Sequence, residues 1–163
     1  MEKIDLYNYN KQKLDKTFIR GQDQLLKDEY YLLEQAWIIN NKNEVLLTQR
    51  NFNKSYGGMW EGITGHVKSG ETNLEGIQRE ISEEIGLNIE KNELRFFKSF
   101  ICNQAIIDVW IIKKDVNLKD FILKNDEVIN AKFVSILEFK TMLNTNKIIS
   151  NLSYFLDIYD KIV

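Results

Sequence analysis

Proline is missing altogether, cysteine and histidine occur once each, and neither sign of charge dominates. A lone cysteine, Cys102, excludes an internal disulfide and a cysteine-built metal cage. A lone histidine, His66, excludes a multi-histidine zinc site. With 22 basic and 24 acidic residues the formal charge is −2, so there is no general electrostatic pull towards nucleic acid or an anionic membrane. No run of about eighteen apolar residues offers a membrane span. The first ten residues carry charge where a secretory leader would be apolar, which makes a reducing cytoplasm the simplest address. The missing proline and the abundance of Asn, Lys and Ile carry no functional meaning of their own.

What is present suits one domain. The 163 residues are 44% hydrophobic and 28% charged, enough for a single core. Apolar and aromatic residues over Tyr31–Ile39, a turn at Asn40-Asn41-Lys42-Asn43 and a second apolar stretch ending at Gln49 predict a β-hairpin. Leu94–Ile101, Ile106–Ile112 and Val128–Ser135 are further predicted strands, and Lys3–Arg20 is expected to hold a small hairpin. Thr72-Asn73-Leu74-Glu75 has the form of a capping box, Gly86 stands at a helix stop, and Leu74, Ile77, Ile81 and Ile85 form one apolar stripe between them. The final stretch, 146–163, repeats Ile148, Leu152, Phe155, Ile158 and Tyr159 on a helical period. Strands interleaved with helices predict an α/β domain with a mixed sheet.

The predicted helix carries an electrostatic oddity. At about 100° per residue, Glu80, Glu83 and Glu84 fall within one flank beside the apolar stripe. Their mutual repulsion costs roughly 0.2–0.5 kcal/mol per exposed pair. They also crowd towards the helix carboxy terminus, where the macrodipole disfavours negative charge. A divalent cation would reverse that balance, and magnesium takes oxygen ligands of this kind together with substrate phosphates. A solvated acidic face is the alternative for the helix alone.

The surrounding residues separate the two. Gly65, five residues, Glu71, seven residues, then Arg79-Glu80-Ile81-Ser82-Glu83-Glu84-Ile85-Gly86-Leu87 resembles the Nudix box at every defining position, and so many fixed identities at set spacings do not arise by chance. The resemblance implies an α/β/α sandwich in which 1–163 is a single domain, 1–30 an amino-terminal extension with a β-hairpin, 65–87 the box and 146–163 a closing helix. It implies Mg2+, with Mn2+ as a substitute, held by the Gly65 carbonyl, Glu80, Glu83 and Glu84. Glu71 and Arg79 would form a structural ion pair. Glu80, Glu84 and Glu127, the last in Asn125-Asp126-Glu127-Val128, are the candidate catalytic carboxylates. Arg50, Trp37 and Trp60 are candidates for binding substrate, and Phe52 and Tyr56 add aromatic surface nearby.

The implied activity is hydrolysis of a diphosphate linkage in a nucleoside di- or triphosphate or a related derivative. The implied partner is a small molecule rather than nucleic acid or membrane, acted on by a monomer or homodimer. Asp5-Leu6-Tyr7, Arg20-Gly21, Gly58-Met59-Trp60 and Gly65-His66-Val67 look like the branch nearest isopentenyl-diphosphate isomerase. Isomerisation is disfavoured, because Thr64 stands where those enzymes carry a catalytic cysteine and the box glutamates are intact. A non-catalytic nucleotide-binding module is a further alternative, one that usually loses those glutamates. Gly57-Gly58 replaces the usual Pro-Gly and should loosen that loop.

Overall fold

A computed structural model describes residues 2–163. Strands β1 (Lys3–Tyr7) and β2 (Lys13–Ile19) form a separate antiparallel hairpin. The main sheet is built around β3 (Tyr31–Ile39), whose near-continuous apolar sequence suits a strand covered on both faces. β4 (Val45–Arg50) meets β3 only where Val45 faces Ile39, then diverges. Short strands β5 (Trp60–Glu61) and β6 (Ile63–His66) pair with β4 and β3 respectively.

Helix α1 (Asn73–Ile85) begins and ends as its sequence dictates. The Thr72 side chain accepts from the Glu75 amide, the Glu75 carboxylate accepts from the Thr72 amide, and Gly86 closes the helix at φ +70°. Beyond it, β7 (Arg95–Cys102) pairs antiparallel with β8 (Ala105–Lys113), and β8 runs parallel to β3 along its whole length. β9 (Val128–Val134) adds to β4, giving seven strands of mixed direction. Helices α2 (Ile136–Asn144) and α3 (Tyr154–Tyr159) follow.

Side-chain parity on β3 decides which residues meet which helix. Ala36 and Ile38 join Ile77, Ile81 and Ile85 of α1 in one core. Trp37 and Ile39 join Phe139 of α2 and Phe155 and Ile158 of α3 in the other. The result is the expected α/β/α sandwich. Each fully buried α1 isoleucine contributes about 1.5–3 kcal/mol.

Two elements differ from expectation. The helix predicted over 146–163 is shorter: Ser150–Ser153 is a 3₁₀ turn, and only Tyr154–Tyr159 is α-helical. The preceding residues are extended instead, because the Trp60 amide donates to the Lys147 carbonyl at 2.8 Å and Ile149 donates back to Trp60 at 3.2 Å. α2 was not foreseen; Ser135 caps it by accepting from the Glu138 amide.

A buried polar group lies where β3, β8, α1 and the hairpin turn converge. Glu34 and Asp108 face each other in register and are both enclosed. Asn73 donates to both carboxylates at 2.7 Å, Trp110 donates to Glu34, and Lys11 from the β1–β2 turn pairs with Asp108. Burial, then the adjacent Asp108 charge, pushes Glu34 up to about 8. Among the described residues no helix is long and apolar enough to cross a membrane.

Candidate active site

β6 delivers Gly65 against α1. A side chain at Gly65 would meet the Glu80 carboxyl carbon at 1.9 Å, so the absence of a Cβ is what lets the carboxylate lie on this backbone. Arg79 organises the loop between them. Its Nε donates to Glu71 Oε1 at 2.7 Å and Nη2 to Glu71 Oε2 at 3.0 Å, a two-pronged pair. The same guanidinium donates to the His66 carbonyl at 2.8 Å and to Glu80, and lies 3.6 Å from Glu83. Strand, loop and helix are thus tied together by one cation.

The glutamates sit in a cleft of about 460 Å³. Glu84 is enclosed, and its carboxylate has one donor among the described residues, the Thr48 hydroxyl at 3.3 Å. Burial pushes its pKa well up, and the charges of Glu61, Glu80 and Glu127 push further. Glu80 is raised too, by burial, although Arg79 offsets part of this. Glu83 is half-exposed, 3.6 Å from Lys68 and 3.8 Å from Lys124. Glu127 joins the same cleft: burial would raise it, but bonds from Lys124 at 3.0 Å and Lys54 at 3.2 Å hold it below its ordinary value.

Glu61 escaped the sequence reading. It is buried, its pKa is raised by desolvation despite the Arg50 ion pair, and its charge bears on Glu84. Lys54, Lys68 and Lys124 on the rim escaped as well. Nothing distinguishes these four from surface charges until β4 and β5 pair Thr48 with Glu61 and the loops close around the cleft. Arg50 lines the cleft, committed to Glu61 and to the Ser55 carbonyl at 2.7 Å.

Two candidate substrate contacts are corrected. Trp37 is fully buried on the face of β3 opposite α1, against Phe155 at 4.1 Å between ring centroids, with Nε1 donating to the Tyr154 hydroxyl. Strand parity turns it away from the glutamates, and no ligand can reach it. Trp60 packs on the α2 side of the sheet beneath Lys132, whose ammonium is 4.9 Å from the ring centroid, and it does not line the cleft. His66 does line it, stacked 5.2 Å from Tyr31; burial, then the Arg20 and Arg79 charges, pulls it down to about 4, so it is neutral near pH 7. Cys102 ends β7, partly buried.

A divalent cation suits this donor set. Oxygen donors surround the cleft, Glu84 has no ion-pair partner among the described residues, and three further carboxylates repel it. Among the described residues no three acidic, histidine or cysteine side chains converge as a ready-made cage, since Arg79 draws Glu80 and Glu83 towards itself.

Comparison with known proteins agrees with this geometry. A family model described as the NUDIX domain matches residues 35–152. An uncharacterised Nudix hydrolase of Listeria monocytogenes is 32% identical over 151 residues, covering 91% of this chain and 89% of its own. Another from Listeria innocua is 34% identical over 137 residues, covering 83% and 80%. Among solved structures, DR0079 of Deinococcus radiodurans superposes with a TM-score of 0.78 over 99% of both chains at 18% identity. A MutT protein of Methanosarcina mazei gives 0.63 over 84% of this chain and 97% of its own at 24% identity. With the domain matched over most of its length, the chain belongs to the Nudix hydrolases, enzymes that act on pyrophosphate bonds.

Proposed function

We propose that the protein hydrolyses the diphosphate linkage of a nucleoside di- or triphosphate, or of a related nucleoside diphosphate derivative, with Mg2+ as cofactor. The observation that carries this reading is Glu84: a buried carboxylate with three like charges around it and, among the described residues, a single hydroxyl donor. Such a group is unstable as an anion unless a cation joins it. The Gly65 carbonyl, Glu80, Glu83 and Glu84 would hold the ion, and Mn2+ would substitute because it accepts the same oxygen donors. When bound, the ion neutralises charge on the diphosphate and makes water more acidic.

The protein groups do the rest. Arg50, Lys54 and Lys124 line the same cleft and bring positive charge to phosphate oxygens. A glutamate takes the proton from the attacking water. Glu80, Glu84 and Glu127 all line the cleft and are the candidates for this base, Glu127 being held by its two lysines. Glu71 and Arg79 keep the loop in register with the helix.

A phosphate-release screen over nucleoside diphosphates, triphosphates, nucleotide sugars and coenzymes, with and without Mg2+, tests the proposal. Turnover should require the metal, and Glu84→Gln should lower kcat by about 10²–10⁴-fold. Full activity in Glu83→Gln and Glu84→Gln would refute the site, and isomerisation of isopentenyl diphosphate would refute the reaction.

A further inference from the structure

The amino-terminal hairpin precedes the matched domain, which begins at residue 35, yet it is fastened to the loop of the active site. Asp5 of β1 accepts from the Ser69 hydroxyl at 2.8 Å and the Gly70 amide at 3.0 Å, and Ser69 donates from its amide to the Lys3 carbonyl at 2.8 Å. On the other strand, Phe18 stacks on Tyr31 at 6.3 Å, and Tyr31 on His66 at 5.2 Å. This docking delivers Arg20, which follows β2, to the cleft.

Arg20 stands at a seam. A second cavity of about 220 Å³ adjoins the glutamate cleft, and Arg20 and Arg50 are the two cations that line both. Arg50 is already engaged by Glu61 and Ser55. Arg20 is more than half exposed, and its ion-pair partner among the described residues is Glu2, at 3.4 Å. Most of its donors are therefore free.

The second cavity has aromatic walls from Tyr56, Phe100 and Tyr154. Some of its polar groups are paired with one another: the Tyr154 hydroxyl donates to Gln35, which donates to the Thr64 hydroxyl at 3.0 Å, and Trp37 donates to Tyr154 at 3.0 Å. An occupant finds stacking surface there, with the Asn151 side chain among the polar groups of the lining.

Building on the diphosphate-hydrolase reading, we propose that Arg20 is a substrate-binding residue that grips the phosphate joined to the organic group, while a flat aromatic base occupies the Tyr56–Phe100–Tyr154 cavity. The guanidinium fork matches a phosphate edge. The aromatic walls present a stacking face to purine and pyrimidine nucleoside diphosphates alike.

The test is calorimetric binding, in Mg2+, of the methylene-bridged analogues of ADP and CDP and of plain methylenediphosphonate. Arg20→Ala should weaken both nucleotide analogues by about tenfold or more, with Arg20→Lys intermediate and the thermal midpoint unchanged. Phe100→Leu, which keeps an apolar side chain and removes the ring, should weaken the nucleotide analogues and spare methylenediphosphonate. The inference is overturned if Arg20→Ala or Phe100→Leu binds both analogues as the wild type does, or if the wild type binds neither. Binding is read without turnover, so an inactive wild type would refute the hydrolase reading and leave this comparison decisive.

Discussion

Gly65 shows how a single missing methyl group sets the site. With the Glu80 carboxyl group where a Cβ would stand, Gly65→Ala must displace either the strand or the glutamate. Activity in a phosphate-release assay should fall by about 10²-fold, the usual consequence of moving a reacting group by an ångström. Glu84 gives the opposite sign for stability. Replacing this crowded, buried carboxylate by its neutral isostere should raise the thermal midpoint of the metal-free protein while activity is lost. A midpoint unchanged or lowered in Glu84→Gln would mean that its charge is already compensated. The box residues were legible one by one because their identities and spacing are fixed locally. Trp37 was not: its type suggested stacking, but the direction of its side chain depends on which face of β3 meets α1.

Helix α1 was legible as an element because its cap, stripe and stop all lie within its own sequence. Thr72→Ala removes an acceptor for the Glu75 amide and should cost about 1 kcal/mol in a denaturant titration. Asp5→Ala removes the hairpin's two side-chain bonds to Ser69 and Gly70 and leaves the Ser69 amide on the Lys3 carbonyl. It should slow turnover and speed proteolysis of the 67–71 loop, while helix content by circular dichroism stays unchanged. The elements that escaped notice are those whose cause is distant. β5 and β6 are short and glycine-interrupted, and they become strands only through the backbone of β4 and β3. The closing helix was drawn too long because Ile148 fits a helical period as well as an extended strand, and its contact with Trp60 decided the matter. Glu61 looked like an ordinary charge until pairing with Thr48 buried it beside the cleft.

For the whole molecule, the carboxylates enclosed within the sandwich make stability depend on pH. Glu34 holds its proton up to about 8 in the folded state, whereas its ordinary value is 4.5. The stability it contributes is therefore complete below the ordinary value and is lost as pH rises through the folded one. Urea midpoints should fall between about pH 5 and pH 8, and Glu34→Gln should flatten part of that slope. A slope unchanged in the variant would assign the effect to other carboxylates. The parallel union of β3 with β8 has a further consequence. β3 emerges early in synthesis, and the neighbour that covers its whole length is made only after the glutamate helix and β7. A nascent chain must keep that apolar edge from straying in the meantime, because the antiparallel β6, which arrives just before α1, pairs with the opposite edge of β3 and leaves this one open.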